Sequence, residues 1–221
     1  MRAIRRTVLI VTIGWAAASA MATVAVALWV RERYGRGAPF PARDALALLN
    51  PQRRRLHPVV EIVRFFRIEP GDTVLELGPG PGYYSIEAAR AAAPGGRAIC
   101  VDVQPGMIAV LDERLRAGGA TNAHPVVGDA THLPLGAGSV DAAFLVFVLG
   151  EIPDRPAALA ELRRVMKPGG VISIVETLTD SDYQLEASVD DLFRASGFQP
   201  LARRGQRLGY ARSFTAPGPN G

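Results

Sequence analysis

Residues Val74-Leu75-Glu76-Leu77-Gly78-Pro79-Gly80-Pro81-Gly82-Tyr83 constrain the fold more than any other stretch of the chain. An apolar run ends in an acidic residue and breaks into a glycine-rich turn, after which Tyr84 to Ala93 reads as a helix. Strand–turn–helix units of this kind belong to α/β folds. There the backbone N–H groups of the turn and the N-terminus of the helix face an anionic group of a ligand. Glycine is needed because a Cβ would block close approach or forbid the positive φ values of the turn. A tight strand-to-helix connection without a ligand is the bland alternative.

The spacing is E-x-G-x-G-x-G. A dinucleotide fingerprint G-x-G-x-x-G would put its third glycine at position 83, where Tyr83 stands; the glycine falls instead at Gly82. This pattern resembles motif I of the class I S-adenosylmethionine (SAM)-dependent methyltransferases. Arg97 to Val101 then reads as a second buried strand ending at Asp102. An acidic residue ~20 positions beyond a glycine turn is placed to accept hydrogen bonds from a ribose diol; a turn or helix-capping aspartate before Pro105 is the alternative. In His124 to Ala130, which is similar to the third strand and loop of the family, Asp129 stands where an Asp accepts from the adenine amino group. Leu133-Pro134-Leu135 and Ser139-Val140-Asp141 resemble the family's approach to its fourth strand.

Ala142 to Leu149 is an unbroken apolar run, suited to a parallel strand covered on both faces, although a buried helix has the same pattern. Pro156 to Met166 has helical apolar spacing, and Lys167-Pro168-Gly169-Gly170 stops it. Val171 to Val175 reads as a fifth strand, and Leu162 to Gly170 is a further family hallmark. Ser188 to Ala195 reads as a helix closed by Gly197, with Phe198–Arg204 and Tyr210–Thr215 as closing strands. The alternating β/α order supports the α/β class by itself. The resemblance implies more: a doubly wound, mostly parallel seven-stranded sheet of the Rossmann-like methyltransferase fold, with one antiparallel strand at its edge. It further implies SAM contacts at Glu76, Gly78, Pro79, Gly80, Gly82, Tyr83, Asp102, Val103, Gly128, Asp129, Ala130 and Phe147, over the carboxyl ends of the first, second and fourth strands.

Thr7 to Val30 carries no charge over 24 positions. As a helix it would extend about 36 Å, enough to cross a ~30 Å hydrocarbon core. Arg2, Arg5 and Arg6 precede it; Arg31, Arg33 and Arg36 follow. A cleaved signal peptide is the competing reading, with Ala18-Ser19-Ala20 or Ala25-Val26-Ala27 as small-residue sites. The length of the run and the arginines after it favour an uncleaved single-pass anchor. Arg43 and Arg53-Arg54-Arg55 weight the positive-inside count toward the C-terminal side, and SAM is a cytosolic metabolite. The expectation is therefore a membrane protein with its N-terminus outside and its catalytic domain in the cytoplasm. The chain divides into an anchor with basic flanks (1–36), a linker and pre-domain helix (37–67) and a SAM-binding domain (68–217). Asn50-Pro51-Gln52-Arg53-Arg54-Arg55 would begin the pre-domain helix and cover the cofactor.

Charge separates along the same boundary. Residues 1–67 hold 12 arginines against 3 acidic residues, whereas the remainder carries 13 basic and 18 acidic, for an overall charge of +4. The basic character is thus juxtamembrane, a partner for anionic lipid, and argues against a nucleic-acid-binding face; a solvated arginine-rich helix is the alternative. The single cysteine, Cys100, excludes an internal disulfide and a cysteine-based zinc site, and no metal is expected.

For chemistry, the loop Gly150-Glu151-Ile152-Pro153-Asp154 lies where the acceptor enters in this family. Glu151 is the candidate general base or acceptor-orienting group, with a helix-entry carboxylate as the alternative. Glu176, closing the fifth strand, is placed to face the acceptor, and Tyr83 and Tyr84 to pack on the methionine moiety or the acceptor. Related quinone- and small-molecule-modifying enzymes carry a histidine near the Gly150-Glu151 position, and none is present here. The N-P-P-Y and D-P-P-Y sequences of base-methylating members are also absent. The expected function is methyl transfer from SAM to a small apolar or lipid-like acceptor. A methyltransferase acting on protein or RNA, or a SAM- or nucleoside-binding module without turnover, are the alternatives.

Overall fold

The computed structural model describes residues 37–50, 57–206 and 208–218. The expected anchor at Thr7–Val30, its flanking arginines and residues 51–56 of the expected pre-domain helix lie outside them. Among the described residues, no helix is long and apolar enough to cross a membrane.

A 3-10 helix, Ala42–Leu49, precedes α1 (Val59–Phe65), β1 (Thr73–Leu77), α2 (Ser85–Ala92), β2 (Arg97–Asp102), α3 (Pro105–Ala117) and β3 (Ala123–Val127). There follow β4 (Val140–Val146), a 3-10 turn (Leu149–Glu151), α4 (Arg155–Val165), β5 (Met166–Thr177), α5 (Glu186–Ala195), β6 (Gln199–Gln206) and β7 (Gly209–Thr215). The seven strands form one sheet in the order β3-β2-β1-β4-β5-β7-β6. Strands β1 to β5 pair in parallel, and β7 runs antiparallel to both of its neighbours.

Burial decides which strands are central. In β1 the last four residues are all buried, as expected of a parallel strand covered on both faces. Leu75, Leu77, Ala143 and Leu145 pack with Leu159 and Leu162 of α4 and Val189 and Phe193 of α5. On the opposite face Val74, Phe144 and Val175 meet Ile62 and Val63 of α1 and Ala88 and Ala92 of α2. Cys100 packs beside Leu111 and Leu115 of α3. The sheet is therefore doubly wound. Phe144 stacks on Phe66, the residue that ends α1, with centroids 4.3 Å apart and planes 13° from parallel.

Three sequence expectations need correction. The antiparallel strand does not lie at the edge: β7 is buried over Tyr210–Phe214, while the outermost β6 has no buried residue, only exposed and half-buried ones. An edge strand keeps one side in water, so the polar Gln199–Gln206 takes that place. The apolar run at Ala142–Leu149 is a strand only as far as Val146, because Phe147 adopts φ 60° and turns the chain away. Lys167-Pro168-Gly169-Gly170 does not separate helix from strand; it forms the start of β5, which begins at Met166 directly after α4. The N–H of Gly169 donates to Ala216 O (3.1 Å) and that of Ala216 to Gly170 O (2.8 Å), so these residues have the backbone partners of a strand.

Replacing Phe144 with Ala removes the ring that joins β4 to the base of α1. We expect a loss of about 3–5 kcal/mol, read as a lowered urea midpoint with unchanged denaturant slope.

Candidate cofactor and acceptor site

The glycine turn lies between β1 and α2, and its three glycines all have positive φ: Gly78 at 70°, Gly80 at 53° and Gly82 at 79°. Two of them are also closely packed. A Cβ on Gly78 would lie 2.5 Å from Val148 Cγ2, and one on Gly82 would overlap Leu111 Cδ1. The Gly78 N–H donates to Val101 O at 2.8 Å, tying the turn to the neighbouring strand.

Asp102 closes the turn from the side. Its Oδ2 accepts from the Gly80 N–H (3.2 Å) and its Oδ1 from the Gln104 N–H (2.9 Å). Burial pushes its pKa upward, opposed by these two backbone bonds. An ionised carboxylate offers about four lone-pair sites, so two acceptor positions serve the fold and the others are available to a diol. Val103, the next residue, is half exposed, which suits an apolar contact with a flat ring.

Glu76 is placed differently from the other expected cofactor contacts. It is buried, and its Oε2 accepts from Ser85 Oγ (2.5 Å) and from Cys100 Sγ (3.5 Å). It thus links β1, β2 and the first residue of α2. Pro79 and Gly80 follow in the turn itself, and Gly128 lies just beyond β3, where a Cβ would come 3.0 Å from Val101 Cγ1. Asp129 is exposed beside the half-buried Ala130; its Oδ1 accepts from Thr131 N (2.7 Å) and Oγ1 (2.8 Å), which lower its pKa.

Tyr83 donates its hydroxyl to His57 O at 3.3 Å. Tyr84 does not stand at the mouth of the turn as expected. It is buried, edge-on to Phe66 and Tyr83, because the first turn of α2 faces the core there. Phe147, whose φ is unusual for a bulky side chain, meets the His57 ring at 4.9 Å. His57 is itself buried, with Nδ1 3.3 Å from Gln206 Oε1, and serves packing.

The carboxyl ends of β4 and β5 bring together groups far apart in sequence. Glu151 sits in the 3-10 turn after β4, where burial and the nearby Asp180 push its pKa up to about 8, against a backbone hydrogen bond from Phe40. Asp154, by contrast, caps α4 through the N–H of Ala157 (3.0 Å). Glu176, near the end of β5, is also pushed to about 8 by burial, while its Oε2 accepts from the Gln184 N–H at 3.2 Å.

A strap formed by residues 37–50 crosses these ends, a feature the sequence did not reveal. The Gly37 N–H donates to Asp182 Oδ1 (3.2 Å), and Phe40 O accepts from Gln104 Nε2 (2.8 Å). The Ala42 N–H donates to Gln104 Oε1 (3.2 Å), and Leu48 lies over Gly80. Gln104 and Asp182 are the residues that sequence reasoning missed. Their partners are 62 and 145 positions away, and no local pattern reports such contacts.

Known proteins resemble this chain in sequence and in fold. Residues 74–170 match the family model described as "Methyltransferase domain". The chain is 30% identical over 125 residues to a demethylmenaquinone methyltransferase of Geobacillus stearothermophilus, covering 57% of this chain and 53% of that protein. It is 39% identical over 137 residues to a malonyl-[acyl-carrier protein] O-methyltransferase of Serratia marcescens, covering 61% and 51%. The chain thus spans about half the length of these curated relatives. Its fold is similar to that of a SAM-dependent methyltransferase from Aquifex aeolicus, with a TM-score of 0.76 at 22% identity over 80% of this chain and 99% of that one.

Glu76 gives the site a pH signature. Burial raises its pKa from 4.5 to about 7, against the lowering bonds from Ser85 and Cys100. Between those values the folded chain holds a proton that the unfolded chain has lost, so this group's contribution to stability falls as pH rises through that window. Glu76→Gln should flatten the decline by about 3 kcal/mol, measured as denaturation midpoints at about pH 5 and about pH 8.

Proposed function

We propose that this chain, whose residues 74–170 belong to the class I SAM-dependent methyltransferase family, is a membrane-anchored enzyme that methylates a small apolar or lipid-like acceptor. The observation that carries the reading is the pairing of the close-packed glycine turn with Asp102, whose carboxylate joins the Gly80 and Gln104 amides. SAM supplies an electrophilic methyl group on a sulfonium. The residues present fit it: a glycine turn with positive φ at Gly78, Gly80 and Gly82, a carboxylate placed for a ribose diol and an exposed apolar Val103 beside it.

The chain's own tasks are to hold the reactants, exclude water and manage a proton. Asp102 orients the ribose. Residues 37–50 cross above the turn and limit access of water. Glu151 takes up the proton of a hydroxyl or similar acceptor. The Phe40 amide fixes its position, and its pKa of about 8 suits proton exchange near neutral pH.

Two lines support the apolar acceptor and the anchor. One is the uncharged Thr7–Val30 segment with its arginine flanks; the other is similarity to a protein named for demethylmenaquinone. In this reading the N-terminus lies outside and the domain faces the cytoplasm, where SAM is made. Anchoring shortens the search for a substrate dissolved in the bilayer.

Calorimetric titration of SAM into the full chain in detergent, with NAD as the control, tests the cofactor assignment. Binding of SAM alone is expected, and Asp102→Ala should weaken it by about 10- to 100-fold. Unchanged affinity would refute the ribose role.

Glu151→Gln should lower kcat while leaving SAM affinity intact. A carboxylate base is active only when deprotonated, so the wild-type rate should climb with pH to a plateau above about 8, and the variant should lose that limb. Full activity in the variant would remove Glu151 as the base. SAM affinity with no transfer to lipids, metabolites or RNA would favour a binding module.

A further inference from the structure

The described residues include eight exposed large apolar side chains, and six of them lie at one end of the sheet or on the strap that crosses it. Val103 follows β2, and Val127 ends β3. Leu178 follows β5, and Leu185 immediately precedes α5. Leu208 lies in the β6–β7 turn, which the pairing of Gly209 with Thr177 places at the same end of the sheet. Leu46 belongs to the 3-10 helix of the strap. Only Val60 in α1 and Leu201 in β6 lie elsewhere. Val103 and Val127 flank the cofactor end described above; single surface leucines need no explanation, but the remaining leucines gathered on one face mark an interaction surface.

Leu178 and Leu208 are adjacent, since the Leu178 N–H donates to Leu208 O at 2.7 Å. Leu178 and Leu185 are 62% and 66% exposed, at the two ends of the loop after β5. That loop is also where the N-terminal segment joins the fold, because Asp182 accepts the Gly37 N–H. Seven residue steps separate Gly37 from Val30, the end of the uncharged segment. Fully extended, they reach at most about 25 Å. A bilayer that holds Thr7–Val30 is thereby kept within a short tether of Leu178, Leu185 and Leu208. The sequence places Arg31, Arg33 and Arg36 in that tether beside Glu32, a net positive charge that offsets the acidic Asp180 and Asp182 of the loop against an anionic leaflet.

We propose that the carboxyl end of the sheet carrying Leu178, Leu185 and Leu208, with Leu46 of the strap, docks on the lipid bilayer, turning the ends of β4 and β5 toward the membrane. An acceptor dissolved in the bilayer then reaches Glu151 without crossing bulk water. The inference rests on the anchored reading above and adds an orientation to it. An anchor alone leaves the domain free to tumble; a docked leucine face holds the site over the lipid.

The test uses the full chain reconstituted in phosphatidylcholine–phosphatidylglycerol vesicles. Leu178→Cys and Leu185→Cys carry an environment-sensitive NBD label, with Ala117→Cys at the far end of α3 as the reference. These positions are exposed, so the substitutions leave the core intact, and the native Cys100 is buried. We expect a blue-shifted label at positions 178 and 185, with several-fold stronger quenching by nitroxide-bearing lipid than at 117. Vesicle flotation of the unlabelled chain reports separately on the anchor. Flotation with equal quenching at all three positions would overturn the docking while sparing the anchor. A blue shift without lipid quenching would show that protein, such as a second copy, covers the leucines, and would also overturn it. Failure to float would remove the anchored reading and the docking together.

Discussion

The carboxylate of Asp102 is the interaction on which the site depends. It is buried at the end of β2 and joins two backbone segments that share no strand: the glycine turn through Gly80 and the entry to α3 through Gln104. Burying a charged oxygen is costly unless hydrogen bonds replace water, and here the fold supplies two amides. Gln104 extends the connection, because its side chain holds both Phe40 O and the Ala42 N–H. One acidic residue therefore links the cofactor turn, a helix entry and the strap.

That arrangement explains which parts of the molecule could be read from the sequence. Local rules identify the glycine turn: strand, three glycines and helix are contiguous, and sterics at Gly78 and Gly82 enforce them. The central strands are legible for the same reason, since a strand covered on both faces must be apolar throughout. Asp102 follows from its distance to the turn. The place of β7 was not legible, because pattern gives the presence of a strand and not its neighbour. The pairing of β7 with β5 and β6 puts β6 outermost, and the contrast between buried Tyr210–Phe214 and wetter Gln199–Gln206 matches it. The end of β4 was misread because Phe147 turns the chain at φ 60° without the glycine that usually announces such a turn. The strap was invisible, since its contacts join Gly37, Phe40 and Ala42 to residues far along the chain.

Buried acids in this fold fall into two groups, and the physical difference between them separates support from chemistry. Glu76 is enclosed, with Ser85 of α2 and Cys100 of β2 as partners. Its raised pKa is a by-product of burial that lets the carboxyl act as a neutral strut. Glu151 and Glu176 lie at strand ends, where Asp180 and Asp182 add negative charge to the effect of burial. Like charges gathered at one end of a sheet oppose folding, and a purely structural role would be served better by amides. The proton transfer proposed for Glu151 would use such a group, a carboxyl whose proton is held loosely near neutral pH.

The strap connects that chemistry to the membrane reading. Its first residues meet Asp182 and Glu151, and its 3-10 helix ends over Gly80. The same fourteen-residue stretch, 37–50, thus covers the acceptor end and the cofactor end of the site in one pass. In the proposed anchored arrangement a tether attached at Gly37 would pull on the acceptor end first, because Asp182 and Phe40 are the nearest attachments. Force or fluctuation from the bilayer would reach Glu151 before it reaches the glycine turn. The turn is held by β1, β2 and α2, and the loop after β4 by Arg155, which donates to Leu149 O (2.9 Å) and Gly150 O (3.2 Å); the strap adds hydrogen bonds that each contribute only about 1 kcal/mol.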